Sequence, residues 1–178
     1  MQDGTISVDS VLVAVFIAVV VVIGLFVVLN TRKQVKMMRS GSGFITWGKK
    51  QERTRRFDEA LKCYLTAEEV YRKAGDEAGR VRAYNHAGLV MLRCDDFKGA
   101  RDFFRKGEPI ARKYSSPEDL GVLLTNLGDV EEGLGNAERS KQYYTEAMEI
   151  YEEDEDMDGV MFMRDKLKIE TEPEDESD

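Results

Sequence analysis

Of the residues that carry chemistry in enzymes, this chain of 178 residues has very few. It holds one histidine, His86, and two cysteines, Cys63 and Cys94. No C-x-x-C pair, grouped metal ligands, phosphate-cradling glycine loop or nucleophile motif occurs in it. Acids are plentiful, but the paired acids of the C-terminal run read as solvated, with nothing to hold two of them in one pocket. The reading is therefore not an enzyme, with no cofactor and no metal. Two cysteines are too few for a disulfide framework and read as free thiols in a reducing compartment. His86 sits at helical spacing, which fits a packed or groove-lining imidazole better than a catalytic one.

Charge is absent from one stretch only. Val11 to Leu29 is a run of 19 residues without Asp, Glu, Lys or Arg. As a helix it would reach roughly 28 Å at 1.5 Å per residue, close to the hydrocarbon thickness of about 30 Å. In lipid a backbone meets its hydrogen-bonding needs only internally, so β-branched residues still form helix there. A cleaved signal peptide would need a basic leader, a shorter apolar stretch and a small-residue cleavage site. Here Asp3 and Asp9 precede the run, Arg32, Lys33, Lys36 and Arg39 follow it, and no A-x-A site ends it. The flanks place the N-terminus outside and the remainder on the cytoplasmic side of a cell membrane or other membrane. Gly24 is the one glycine of the run, so no GxxxG pairing face exists.

Charge is also unevenly spread beyond the run. Residues 32–56 carry nine Lys/Arg and one Glu, a basic stretch that sets topology, touches anionic headgroups, or does both. Residues 152–178 hold 13 of the 34 acids and 3 of the 26 bases. The formal charge of −8 thus belongs to the C-terminal end. Ser40-Gly41-Ser42-Gly43 reads as a flexible hinge within the basic stretch.

The rest is periodic. Gly48, Gly88 and Gly128 lie 40 residues apart. One and four positions before them stand Trp47 and Phe44, Ala87 and Tyr84, Leu127 and Leu124. Twelve positions after come Ala60, Ala100 and Ser140; four further, the aromatics Tyr64, Phe104 and Tyr144; three beyond those, Ala67, Gly107 and Ala147. Such a pattern predicts antiparallel helix pairs, with small residues where helices cross closely and aromatics filling the gaps between one repeat and the next. Gly75-Asp76 reads as a helix stop and a cap. Ser115-Ser116-Pro117-Glu118-Asp119 reads as a cap, an N1 proline and an acidic first turn, and Gly135-Asn136 as a tight turn with Asn136 capping. Pro109 should kink or shorten the helix that contains it.

These motifs resemble the tetratricopeptide repeat (TPR) family. Its W-x2-L-G and A-x3-F signature corresponds to Phe44-x2-Trp47-Gly48 with Ala60-x3-Tyr64, Tyr84-x2-Ala87-Gly88 with Ala100-x3-Phe104, and Leu124-x2-Leu127-Gly128 with Ser140-x3-Tyr144. The family's usual period is 34, and the 40-residue form is similar to repeats of the kinesin-light-chain type. The resulting expectation is an all-α chain with one N-terminal transmembrane helix and a short α-solenoid of three TPR-like hairpins. Its parts would be an extracytoplasmic tail over 1–10, the transmembrane helix over 11–30, and a basic juxtamembrane linker over 31–43. The repeat domain would follow over 44–169, with repeats at about 41–80, 81–120 and 121–157 and a capping helix over 158–169. An acidic disordered tail over 170–178 would end the chain.

The resemblance implies binding: first helices of successive repeats line a concave groove that takes a peptide or a partner helix. Mapped onto this chain, that groove comprises Lys49, Arg53, Arg82, Asn85, Leu89, Arg93, Asn126 and Asp129. The family's carboxylate clamp is not carried over, since Ile45, Lys49 and Val122 stand where Lys, Asn and Lys belong. Asn85 and Asn126 either bond an extended peptide backbone or are simply solvated. Four Arg/Lys on one face point to an acidic or phosphorylated partner segment, for which the chain's own acidic tail would compete. The leading expectation is a membrane-anchored protein–protein interaction scaffold. Two others stand beside it: a receptor or assembly factor for protein targeting or membrane complexes, and a structural subunit whose groove is permanently filled. Nucleic acid is not an expected partner, because the basic stretch lies against the membrane and the far end is acidic. Oligomeric state is left open.

Overall fold

The computed structural model describes Phe16, Ile17, residues 19–26 and residues 40–168. The chain divides into two units, Met1–Arg39 and Ser40–Asp178. In the first unit the described residues are helical, and their apolar side chains are exposed, from Val19 at 50% to Phe16 at 70%. Among the described residues no helix is long and apolar enough to cross a membrane. Both ends of the uncharged run, the tail over 1–10, the basic residues 32–39 and the acidic tail over 170–178 lie outside the described residues.

The second unit is a row of helices: α1 (Gly41–Arg53), α2 (Phe57–Ala74), α3 (Glu77–Arg93), α4 (Phe97–Tyr114), α5 (Pro117–Gly133), α6 (Ala137–Glu153) and α7 (Met157–Leu167). Each helix packs on the next, and α1 also touches α3, as α3 touches α5. The odd-numbered helices thus form one layer and the even-numbered ones a second, the arrangement of a helical solenoid.

The periodic glycines explain the hairpins. A Cβ on Gly48 would stand 2.5 Å from the ring of Tyr64, well inside contact distance. Phe104 covers Gly88 and Tyr144 covers Gly128 in the same way. Each aromatic of the 64/104/144 series therefore packs on the glycine of its own hairpin, and Tyr64 and Tyr144 also reach the next, Tyr64 onto His86 of α3 and Tyr144 under Lys166 of α7. The small residues Ala60, Ala100, Ser140, Ala67, Gly107 and Ala147 are all buried. A second set of aromatics joins hairpins. The Tyr71 ring sits over Gly41 of its own hairpin and Gly79 of the following one, and Tyr151 does the same with Gly121 and Gly159. In the middle hairpin the equivalent positions are Ala111 and Val81, both buried in one cluster with Leu123, Leu124 and Leu127.

Turns repeat as well. Arg55, Asp95 and Gly135, 40 residues apart, take left-handed backbone with φ of 57°, 58° and 78°. Gly75 ends α2 with φ of 70°, and Asp76 opens α3 by accepting from the Gly79 N–H at 2.7 Å. Ser116 caps α5 through the Asp119 N–H at 3.2 Å, with Pro117 as its first residue.

Three local expectations are corrected. Ser40-Gly41-Ser42-Gly43 is no hinge: Ser40 caps α1 through the Gly43 N–H, and Gly41 and Gly43 are buried in its first turn. Asn136 does not cap α6 with its side chain; its amide donates to Glu131 at 2.6 Å instead. Pro109 does not shorten α4, which runs 18 residues, as α2 does. Pro109 and Arg105, one turn earlier, are both exposed, so water can serve the Arg105 carbonyl that the proline leaves without its usual donor.

Candidate functional site

The eight residues expected to line a groove all fall on the odd-numbered layer. Lys49 and Arg53 lie one turn apart on α1, Arg82, Asn85, Leu89 and Arg93 follow one face of α3, and Asn126 and Asp129 lie on α5. Helical spacing of three and four residues is what puts each group on a single stripe.

The structure joins Asn85 to Asn126. The Asn126 amide donates to the Asn85 carbonyl oxygen at 2.7 Å, linking α5 to α3. This bond uses one donor and one acceptor of the pair. It leaves the Asn85 amide and the Asn126 carbonyl oxygen, the two complements of a peptide group.

The four cations are not alike. Arg93 reaches back to Glu52 of α1 at 2.9 Å, and Arg82 reaches forward to Asp119 of α5 at 3.3 Å. Both are therefore partly neutralised by acids from neighbouring helices. Lys49 and Arg53 are exposed and make no ion pair among the described residues. Glu52 is itself buried and accepts the Tyr64 hydroxyl as well. Burial of Tyr64 itself, then that carboxylate, push its phenol well above the ordinary range.

His86 lies amid these cations and stacks on Tyr64, with ring centroids 5.0 Å apart. Burial above all, then the charges of Lys49, Arg82 and Arg93, bring its pKa down to about 4. The imidazole is thus neutral at pH 7, and three cations raise the positive potential around it.

The remaining expected residues are built into the scaffold. Leu89 is half-buried against the main core. Asp129 accepts Lys166 of α7 at 2.7 Å and lies 2.7 Å from the Tyr144 hydroxyl, which has Glu132 at 3.0 Å on its other side. Asp129 therefore ties α5 to α6 and α7. Val122, already placed at a clamp position, is exposed, and sequence reasoning missed Phe162, which is exposed as well. The signal was available: they stand 40 and 80 residues after Arg82.

The second layer carries a cleft of about 390 Å³ between α4 and α6. Arg112 bridges it, bonding Glu108 at 2.8 Å and Glu146 at 3.0 Å. These contacts raise the Arg112 pKa further above its normal value, Glu146 contributing most. The cleft is a cross-brace between hairpins with its charges balanced, and no grouping of His, Cys, Asp or Glu fit to hold a metal occurs among the described residues. Cys63 is half-buried, Cys94 is exposed, and both are free thiols.

Comparison with known proteins agrees with this architecture. Residues 122–154 match the family described as tetratricopeptide repeat. No curated protein matches the sequence. Among solved structures, the apo form of RapI is similar at 13% identity and a TM-score of 0.64, over 74% of this chain and 39% of that one. Aspartyl phosphate phosphatase F from Bacillus subtilis is similar at 15% identity and a TM-score of 0.62, over 72% and 36%. The N-terminal domain of stress-induced protein-1 from C. elegans is similar at 14% identity and a TM-score of 0.59, over 74% and 97%. The chain spans under two fifths of the length of the first two. At these identities the likeness is one of fold: a TPR-like helical solenoid, an architecture typical of protein–protein interaction scaffolds.

Proposed function

We propose that this chain is a membrane-anchored interaction scaffold whose α1–α3–α5 face holds an acidic, extended segment of another protein. The observation that carries this is the open hydrogen-bonding pair on Asn85 and Asn126, set beside the cations Lys49 and Arg53, which make no ion pair among the described residues. A peptide backbone satisfies the first, and acidic side chains answer the second. Arg82 and Arg93 contribute less charge than their number implies, since Asp119 and Glu52 already meet them. The helices of 17 or 18 residues in α2 to α6 support the longer, 40-residue kind of repeat.

Anchoring rests on the uncharged run from Val11 to Leu29 and the basic residues after it. Its described side chains are apolar and exposed, a surface that water tolerates poorly and lipid accepts. In this reading the N-terminus faces out and the repeat unit is cytoplasmic. The chain should then stay in the membrane pellet through high salt and alkaline carbonate, and its release by salt would end the anchoring idea.

The binding test uses full chain in detergent and two labelled extended peptides, one Glu-rich and one Lys-rich. The Glu-rich peptide should bind, with an affinity that falls as salt rises. Replacing Lys49 and Arg53 together by Glu should weaken that binding by roughly tenfold or more. Equal affinity for both peptides, or indifference to the double substitution, would remove the proposal.

A further inference from the structure

α7 stands in the position of a first helix. Met157 follows Pro117 by 40 residues and Glu77 by 80, the opening residues of α5 and α3. Met161 is therefore the counterpart of Gly41, Val81 and Gly121, and all three of these are buried. Tyr71 covers Gly41 and Tyr151 covers Gly121, each from the second helix of the same hairpin. Val81 and Ala111 are buried in the same cluster.

No second helix follows α7 among the described residues. Val160 and Met163 are buried, whereas Met161 is 64% exposed, with Met157 at 65% and Phe162 at 50% beside it. A position closed in three hairpins is thus open in the fourth place, and apolar.

We propose that a second copy of this chain fills it: two α7 helices pack antiparallel about a twofold axis near Met161, each taking the place of a second helix for the other. Antiparallel is the direction a second helix takes in each hairpin of this fold. Charge selects the same direction. α7 has Asp158 in its first turn and Arg164 in its last, with Asp154, Glu155 and Asp156 before it and Lys168 after it. An antiparallel pair sets the acidic end of each helix on the basic end of the other, twice over; a parallel pair would set like on like. Arg164 and Lys168 are exposed and make no ion pair among the described residues, so both are available for this. One patch serving both copies is the isologous arrangement of twofold dimers. A contact of one 11-residue helix with its twin is small, below about 1,200 Å² in all, so the dimer forms and separates readily.

The test uses the full chain in detergent, studied by sedimentation equilibrium from about 1 μM to about 1 mM, the span in which so small an interface associates. Wild type should pass from monomer to dimer within it. Met161→Glu should raise the dissociation constant by roughly tenfold or more while leaving the thermal transition in place, because the side chain is exposed. In a chain with Cys63→Ser and Cys94→Ser, Met161→Cys should form a disulfide dimer under mild oxidation, and Glu138→Cys at the start of α6 should not. A wild type that stays monomeric throughout without a 161–161 cross-link overturns the proposal. So does a dimer that ignores Met161→Glu.

Discussion

At the scale of single residues, His86 is the most informative. Its folded pKa of about 4 lies below the ordinary 6.5, so the unfolded chain takes up a proton first as pH falls. Stability from the neutral imidazole is complete above pH 6.5 and drains away between 6.5 and about 4. Lowering pH from 7 to 5 should then cost about 2 kcal/mol through this group alone. His86→Gln should remove that increment, so the difference between wild-type and variant unfolding free energies must change with pH; a constant difference would disprove it. The left-handed turn positions give a second test. Gly135→Ala forces a Cβ into φ of 78° and should lose about 1 kcal/mol. Arg55→Gly, at φ of 57°, should lose nothing, so its denaturant midpoint should stay at or above the wild-type value while that of Gly135→Ala falls below it; equal shifts in the two variants would refute this.

At the scale of helices, much of the fold could be read in advance because its signals are local or strictly periodic. The 40-residue spacing of Gly48, Gly88 and Gly128 located the hairpins, and Gly75, Asp76, Ser116 and Pro117 marked true helix ends. What escaped depends on contacts distant in sequence. Gly41 looked like linker material, but the Tyr71 ring thirty residues on requires its bare Cα. Asn136 looked like a cap, but Glu131 competes for its amide. The candidate site was legible as a stripe of positions, whereas its charge was not, since Glu52 and Asp119 reach it from neighbouring helices. The middle hairpin supplies a natural substitution: Val81 and Ala111 where the outer hairpins have glycine and tyrosine. Gly121→Val alone should cost about 2 to 3 kcal/mol, since even a Cβ would lie 2.8 Å from the Tyr151 ring. Adding Tyr151→Ala should recover part of that loss. Additive losses in the double-mutant cycle would mean the two positions do not form one packing unit.

At the scale of the whole molecule, charge is divided between the proposed binding face, with Lys49 and Arg53, and an acidic C-terminal end. Glu170 to Asp178 carries six acids, and such a segment should compete with an acidic partner for Lys49 and Arg53. Deleting residues 170–178 should tighten binding of the Glu-rich peptide at low salt and change little at high salt; equal affinity at both would show that the end of the chain plays no part. The seams between hairpins carry a further consequence. The first and third seams each close on a tyrosine received by a glycine, Tyr71 on Gly79 and Tyr151 on Gly159, while the middle seam uses Ala111, and Asp119 stands where the receiving glycine would be. If the third hairpin docked directly on the first, Tyr71 would meet an acid with no space for its ring. The succession of units is thereby written into their joints, and a chain made of look-alike parts has a built-in safeguard against assembling them out of turn.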